Sequence, residues 1–456
     1  MRTTVLRWIH TNSVMLLNAG SLVGTTAVTS ILGFAYWWLA ARQFAPHVVG
    51  LASAAVSAMM LLGSMCVLGM GTLLIGELPR QRDNQCSLIS TALMLVGSVG
   101  GVIGALFALF ASVVSPNLRF LHKTPADVLL FAIGVSLTSL TIVLDQSLIG
   151  LLRGGLQLWR NTLFAIAKLV ALFCAGLLFS HRWSMLIYAT WALGNALSLL
   201  PLAHMAIVAA IKRGQHISAY LPRWKLLHNL GVSAVEHHLL NLTIQAPALT
   251  LPLLVTILLS PTMNAWFYVS WMIASFVFVV PNALTTVLYA TNSAQPEVVA
   301  PKIRLTLSLA VLLCALADAL VLLDTSQVLG LFGHVYADQA TWTLRILCLG
   351  VFPLIIKNHY VAVCRIQNRI RRAMLATIPG VIVELLVAAI GAHVAGLTGL
   401  SLGWLSVITV EAAFMSYRVF RSTCYTPPPP PPLLPSPVHS EQQYRLNESY
   451  KRSMVH

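Results

Sequence analysis

Long apolar blocks separated by short polar segments form the hydrophobic pattern of this chain. Each block contains about twenty or more residues, long enough for a helix to cross a hydrocarbon layer roughly 30 Å thick. Because the blocks do not alternate between apolar and polar residues, they exclude the strands of a membrane β-barrel. The pattern predicts an all-α polytopic membrane protein. Twelve transmembrane helices are predicted, at residues 14–40, 49–75, 87–114, 127–151, 162–180, 185–211, 230–258, 263–290, 303–323, 341–363, 374–392 and 396–417.

Composition and charge support this class. Of 456 residues, 57% are hydrophobic and 9% are charged, against roughly 25% charged in soluble domains, so a water-soluble globule is excluded. The net charge is +15, from 28 basic and 13 acidic residues. With a cytoplasmic N-terminus, 21 basic residues fall in inner segments, five in outer segments and two inside spans. The positive-inside rule then places both termini in the cytoplasm. The positive charge therefore reflects topology, and no nucleic-acid partner is expected.

Sequence motifs for catalysis are missing from the chain. It contains no Walker loop, no glycine-rich dinucleotide turn and no nucleophile elbow, so ATP hydrolysis and covalent catalysis are not expected. None of the seven cysteines falls in a predicted exterior loop or shows a metal-ligand spacing. The sequence therefore predicts a transporter rather than an enzyme, with no cofactor and no metal ion.

A weak internal repeat divides the twelve spans into two sets of six. Asn18 and Asn229 lie near the starts of spans 1 and 7, a shift of 211 residues (229 − 18). Arg153 after span 4 matches Arg365 after span 10 with a shift of 212 (365 − 153), and each is followed by another Arg seven residues later. Because six is even, both sets enter from the same side, and parallel pseudo-twofold symmetry is expected. The predicted domains are an N-terminal six-helix bundle (1–211), a cytoplasmic linker (212–228), a C-terminal six-helix bundle (229–421) and a disordered Pro-rich cytoplasmic tail (422–456).

Ionisable side chains inside the spans are the first candidates for function, because charge at membrane depth is costly. Asp145 on span 4 and Lys168 on span 5 should lie at similar depth. Lys357 on span 10 and Glu384 on span 11 occupy the corresponding helices with the signs reversed. One interpretation is a buried ion pair in each bundle. In the other, a lysine faces a cavity and holds an anionic head group, or Asp145 or Glu384 exchanges a proton. Two further intramembrane acids have no evident partner, Asp318 and Glu411.

Span 7 begins with the polar residues Glu236, His237 and His238. His238, Asn241 and Gln245 share one helix face at the spacing i, i+3, i+7. This face predicts either interhelical hydrogen bonds or a cavity wall whose imidazoles meet phosphate. The two histidines are adjacent and point apart, which disfavours a metal site. Glu236, near the inner rim, is a candidate for ion coupling.

Span 1 carries a similar polar strip. Asn18, Ser21, Thr25 and Thr29 recur at i, i+3, i+7 and i+11, so they lie along one side of the helix. Asn18 and Thr25 are therefore candidate cavity residues. Arg42, at the outer end of this span, is a candidate cation.

Glycine and turn motifs recur near the starts and ends of several spans. They are Asn18-Ala19-Gly20, Val49-Gly50-Leu51-Ala52-Ser53-Ala54, Leu68-Gly69-Met70-Gly71-Thr72 running into Glu77-Leu78-Pro79-Arg80, and Ser260-Pro261 before Trp266-Phe267-Tyr268-Val269. Together with the six-plus-six arrangement, this set resembles the oligosaccharide and polysaccharide flippases (Wzx-like) of the MATE-like (MOP) exporter superfamily. The resemblance covers about residues 10–418.

The resemblance implies two bundles around a central cavity lined chiefly by spans 1, 2, 7 and 8, which opens alternately to each side of the membrane. The implied cargo is a polyprenyl-pyrophosphate-linked oligosaccharide, flipped from the inner to the outer leaflet of the bacterial cytoplasmic membrane for surface polysaccharide biosynthesis, including lipopolysaccharide. An ion gradient or the membrane potential would drive it. The expected partners are this lipid-linked oligosaccharide and membrane lipids. The tail, with Pro427–Pro432, would be a docking segment for polysaccharide assembly proteins or a simple spacer.

One feature departs from the resemblance. Spans 1, 2, 7 and 8 contain no Lys or Arg within the apolar core, although a pyrophosphate cargo favours cations there. The candidate cations are His237, His238, Arg42, Lys168 and Lys357. Two alternatives stay open. A cation-coupled exporter of small amphipathic solutes predicts a narrower pocket with a buried acid such as Glu236 or Asp145, and a membrane scaffold without transport predicts no cavity.

Overall fold

Helices make up nearly all of the described structure. A computed structural model describes residues 13–81, 84–178, 185–212, 232–292 and 299–424. Of the predicted linker and tail, residues 213–228 and 425–456 lie outside these ranges. The α-helices are α1 Ser13–Gln43, α2 Pro46–Cys66, α3 Met70–Glu77, α4 Gln85–Val114, α5 Pro125–Gly150, α6 Gly154–Leu178, α7 Leu186–Lys212, α8 Val232–Leu258, α9 Pro261–Asn292, α10 Val299–Leu323, α11 Thr325–Gly330, α12 His334–Leu349, α13 Val351–Ile366 and α14 Ile370–Cys424.

The helices are long and apolar enough to cross a membrane. Ten segments of the described chain qualify by length and hydropathy. The last of them lies in α14, which turns back at Ala395 and Gly396 and so crosses twice. The helix α1 adds another 31 residues. Ten segments, one of them crossing twice, together with α1 give the twelve crossings that the hydrophobic pattern predicts.

Local sequence signals set where these helices begin, as α5 illustrates. The backbone N–H of Asp127 donates to the Thr124 hydroxyl at 3.3 Å, and the backbone N–H of Thr124 donates to the Asp127 carboxylate at 3.0 Å. This reciprocal pair is a capping box, which satisfies two donors at the helix start. Pro125 occupies the first helical position, where a missing N–H costs nothing. The chain therefore enters this span in one defined direction.

Two bundles form, from α1 to α7 and from α8 to α14. In the first, α4 packs on α5, and α6 packs on both α1 and α7. In the second, α14 packs on α8 and α13, while α9 packs on α10, α12 and α13. The main contact between bundles is made by α2, which packs on α8 and α9. We call the side at which α1 begins the N-side and the other the opposite side.

On the opposite side, the start of α2 fits tightly against the start of α9. The side-chain amide of Asn264 donates to the Gly50 carbonyl and to the Ser53 hydroxyl, both at 2.9 Å. A Cβ atom on Gly50 would overlap the Pro261 carbonyl oxygen. The two helices therefore approach closely only because position 50 has no side chain, and this contact closes the seam on the opposite side.

Replacing Gly50 with Ala should open the seam on that side, because the new methyl group has no room beside Pro261. Spin labels on Val113→Cys and Leu323→Cys, which are exposed at the ends of α4 and α10, report the distance between bundles. We expect a population with longer distances in Gly50→Ala. The matched control is Gly33→Ala, where an added Cβ atom meets nothing within 4 Å. Identical distance distributions in both variants would show that the contact does not hold the seam.

Both bundles end their fourth span with the same backbone turn. Leu152 after α5 has φ 57° and Asn368 after α13 has φ 54°, a conformation that residues other than Gly rarely adopt. In each turn the next backbone N–H donates at 2.8 Å to a carbonyl of the last helical turn, which ends the helix. The two turns are 216 residues apart (368 − 152), four more than the spacing of the arginine pairs. This shared turn supports duplication of a six-helix unit.

Candidate functional site

An open cleft lies in the second bundle between α8, α9 and α13. It occupies the last turns of α9 and α13, so it lies toward the N-side. Two of its amides contact each other, because Asn358 donates to the Asn282 side-chain oxygen at 3.1 Å. Hydroxyl, amide, guanidinium and hydrocarbon groups share its wall, which consists of Ile244, Asn282, Thr285, Thr286, Tyr289, Asn358, Val361, Ala362 and Arg365.

The guanidinium of Arg365 is the cation of this cleft. Its Nη2 donates to the Asn241 side-chain oxygen at 2.6 Å. Its Nε is shielded from solvent and has no hydrogen-bond partner. Among the described residues, no carboxylate lies within 4 Å of Arg365. An arginine with unused donors and no counter-ion is suited to bind a phosphate or carboxylate through paired hydrogen bonds.

Two of the predicted polar residues of span 7 lie near this arginine. Asn241 accepts its hydrogen bond, and His237 lies close enough to interact electrostatically with both Arg365 and Glu236. These side chains are half-buried. The first three turns of α8 therefore bring an imidazole and an amide to the neighbourhood of Arg365.

The predicted stripe of His238, Asn241 and Gln245 does not act as one surface. His238 lies close enough to the backbone of Met65 in α2 to interact with it, and so it lies at the contact between the two bundles. Gln245 is exposed and donates only to the carbonyl of Asn241, at 3.4 Å. The stripe thus divides between the bundle contact, the Arg365 cleft and the exposed surface of α8.

The polar strip of span 1 makes local contacts in α1. Thr25 is half-buried and its hydroxyl donates to the Ser21 carbonyl at 2.7 Å. The side chain of Asn18 lies outside the described residues. Arg42 is exposed on the opposite side, where its Nε donates to the Leu331 carbonyl at 2.9 Å. The indole of Trp38 donates to the same carbonyl, so Arg42 joins the two bundles at the opposite side.

The predicted pairing of Asp145 with Lys168 is wrong. Arg160 holds Asp145 instead, with Nε to Oδ1 at 2.8 Å and Nη2 to Oδ2 at 2.6 Å, and Asn161 donates at 2.9 Å. Because α6 begins at Gly154, Arg160 lies inside the helix rather than in an inner loop, and it is buried. Lys168 lies eight residues further on, about 12 Å along the helix axis, beyond the reach of Asp145.

Lys168 is buried among aromatic rings. Its ammonium nitrogen lies 3.4 Å from the ring centre of Trp191, 4.5 Å from that of Phe164 and 5.1 Å from that of Tyr36. Among the described residues, no acid lies within 4 Å of it. The π faces of these rings attract the cation, so Lys168 faces an aromatic enclosure in the first bundle.

The expected pairing of Lys357 with Glu384 is confirmed. The Lys357 ammonium lies 2.5 Å from Glu384 Oε1 and also 2.7 Å from Glu411 Oε2. The indole of Trp404 donates to Glu384 Oε2 at 3.0 Å. Glu411, which has no evident partner in the sequence, is therefore the third member of a buried charged triad.

The two bundles carry opposite charges at corresponding positions. Lys168 and Glu384 are 216 residues apart (384 − 168), the spacing of the two backbone turns. Each lies beside a tryptophan of the following span, Trp191 in the first bundle and Trp404 in the second. The first position carries an ammonium on a ring face and the second a carboxylate on an indole N–H.

Comparison with known proteins agrees with this architecture. An inward-facing multidrug resistance MATE family transporter of the MOP superfamily is 16% identical, and the alignment covers 89% of this chain and 99% of that one with a TM-score of 0.66. The chain has a MATE-like fold. The same comparison with an outward-facing MATE transporter gives 14% identity, coverage of 90% and 96%, and a TM-score of 0.57. The predicted fold class, twelve helices in two bundles, is confirmed.

One further solved structure and one family model also match the chain. A MOP superfamily transporter from Pyrococcus furiosus, reported with a binding pocket of reversed polarity, is 15% identical with a TM-score of 0.62 over 90% of this chain and 96% of that one. Residues 15–225 match the family model described as "Polysaccharide biosynthesis protein". No curated protein matches the sequence. The resemblance seen in the motifs is thus confirmed.

Three residues central to the site are absent from the candidates that the sequence predicts, for identifiable reasons. The positive-inside rule assigns Arg365 and Arg160 to inner segments. In the structure, Arg160 lies within α6 and Arg365 lies within the last turn of α13. The seven-residue spacing of Asn358 and Arg365 places them on one face, and this signal could have identified the cleft. Glu411 lies on the span next to Glu384, but its distance from Lys357 depends on the turn within α14, which hydropathy does not show.

Proposed function

We propose that this protein is a flippase that moves a polyprenyl-pyrophosphate-linked oligosaccharide from the inner to the outer leaflet of the bacterial cytoplasmic membrane. A membrane transporter is the coarse function that the fold and the family match support. We further propose that both termini are cytoplasmic, as the distribution of basic residues indicates. The cleft near the N-side then faces the leaflet from which the cargo is taken.

The observation that carries this proposal is the guanidinium of Arg365 in a polar cleft, with an unpartnered Nε and, among the described residues, no carboxylate within 4 Å. A pyrophosphate has several anionic oxygens, which match the planar donors of arginine. The amides and hydroxyls around Arg365 offer hydrogen bonds to sugar hydroxyl groups. A hydrophilic head cannot cross hydrocarbon unaided, so it requires such a polar surface while the polyprenyl tail stays in the lipid.

The charge of the cleft favours an anionic cargo over the cationic solutes of a multidrug exporter. None of the residues that line it is acidic. A pocket for organic cations would be expected to present a carboxylate or an open aromatic face. The aromatic rings around Lys168 already enclose that lysine, so they are not available to a cationic solute.

Arg365→Gln tests the cleft. Isothermal titration of the purified protein with a polyprenyl pyrophosphate should show binding that Arg365→Gln weakens about 10- to 100-fold, since a charge-assisted hydrogen bond contributes about 1.5–3 kcal/mol. The matched control is Arg371→Gln, an exposed arginine near the same end of the bundle. The corresponding polyprenol, which lacks the pyrophosphate, should bind wild type more weakly. Equal affinity for polyprenol and pyrophosphate, or tighter binding of a cationic drug, would contradict the proposal.

A further inference from the structure

The charged triad of the second bundle contains one positive and two negative groups. Lys357 contacts both Glu384 and Glu411, and all three side chains are buried, with Glu384 at 0% and Glu411 at 8% exposure. Among the described residues, the charged neighbours that act on Glu411 are Lys357 and Glu384. One ammonium therefore faces two carboxylates in a site with almost no water.

An unbalanced carboxylate is costly at this depth, and two carboxylates that share one site rarely ionise together. One bound proton would leave the triad without net charge. Glu384 and Glu411 differ in how well each can carry this proton. Glu384 accepts hydrogen bonds from Lys357 and from the Trp404 indole, one on each of its two oxygens. Neither oxygen of Glu411 has a partner with hydrogen-bond geometry, and Gly380 packs directly against its carboxyl group.

We propose that Glu384 and Glu411 together hold one exchangeable proton, carried by Glu411, and that this proton is the coupling ion of transport. The coupling role rests on the transport function proposed above. On release, the O–H bond of Glu411 breaks, the electron pair stays on the carboxylate and the proton passes to water; uptake reverses these changes. Exchange proceeds through Glu411 because it is the more exposed of the two acids.

The helix α13 connects this site to the cleft. It carries Lys357, then Asn358 and Arg365, which line the cleft. It starts at a break after α12, where the Trp404 ring packs against Gly350. Loss of the proton from Glu411 increases the negative charge facing Lys357. The resulting pull on α13 acts on the Asn358–Asn282 hydrogen bond, which joins the cleft wall on α13 to α9.

Infrared spectroscopy of the purified protein tests the proton directly and requires no transport. At neutral pH, wild type should show the C=O band of a protonated carboxylic acid, and Glu411→Gln should lose it. Glu384→Gln should lose the same component, because Lys357 then balances Glu411 alone. The matched control is Asp338→Asn, an exposed acid. Asp318→Asn separates the contribution of the other buried, unpartnered carboxyl group. A band that persists unchanged in both Gln variants would overturn the proposal.

Transport measurements separate the coupling role from the function itself. In proteoliposomes, a pH gradient should accelerate flipping of a polyprenyl-pyrophosphate-linked sugar by wild type, and Glu411→Gln should flip at a rate independent of the gradient. If wild type flips the lipid without any response to the gradient, the coupling role is wrong and the flippase function stands. If wild type does not flip the lipid, the proposed function fails, whatever the infrared spectra show.

Discussion

Replacing Lys357 with Met should lower the free energy of unfolding by about 3–5 kcal/mol, because a buried carboxylate loses the ammonium that balances it. Lys357 contacts Glu384 and Glu411 from a third helix segment, so its loss leaves the two acids without a cation. The change is measured from thermal unfolding of the purified protein in detergent, and it should be among the largest for any single lysine of the chain.

Rescue distinguishes lost charge balance from lost packing. Lys357→Met combined with Glu384→Gln and Glu411→Gln should recover most of the stability, because no uncompensated charge remains. The control Lys123→Met changes an exposed lysine and should alter stability by less than about 0.5 kcal/mol. A triple variant as unstable as Lys357→Met alone would show that the triad does not act through charge.

Replacing Arg160 with Met should have an effect of similar size, about 3–5 kcal/mol, in the first bundle. Arg160 holds Asp145 through two short hydrogen bonds and contacts the Ser198 hydroxyl of α7 at 3.3 Å. Removal of the guanidinium leaves a largely buried carboxylate with only Asn161 as a donor. The same unfolding measurement applies.

A second substitution, at Asp145, distinguishes the loss of charge balance from the loss of packing contacts in the Arg160 variant. Arg160→Met with Asp145→Asn should restore much of the lost stability, and Arg160→Lys should be intermediate because one ammonium cannot reproduce the paired geometry. Arg153→Met, at an exposed arginine, is the matched control. An Arg160→Met protein as stable as this control would mean that Asp145 finds another partner.

The course of the spans could be predicted from the sequence because a bilayer imposes length and apolarity on each helix. The Lys357–Glu384 pair was also predictable, since both residues lie well inside adjacent spans. The partner of Asp145 was not, because the predicted span begins at residue 162 whereas the helix begins at Gly154, so Arg160 was counted in a loop. The cleft was not predictable either, because it depends on how α8, α9 and α13 pack together. Its cation, Arg365, was counted as a loop residue, whereas it lines the cleft.

The contacts between the bundles could likewise not be predicted from the sequence. Glycine permits close helix approach in general, but nothing in the pattern says that Gly50 meets the Pro261 carbonyl. Likewise, the reversed signs at Lys168 and Glu384 could be read from the chain, whereas the aromatic enclosure of Lys168 could not. Contacts between distant helices follow from the assembled fold rather than from local spacing.

The most direct test of the proposed function follows a fluorescent polyprenyl-pyrophosphate-linked oligosaccharide in proteoliposomes, with a membrane-impermeant quencher reporting the leaflet it occupies. We predict that wild-type protein moves the lipid between leaflets, that Arg365→Gln slows this movement about 10- to 100-fold, and that Arg371→Gln leaves it unchanged. Movement in wild-type proteoliposomes no faster than in protein-free liposomes would contradict the account.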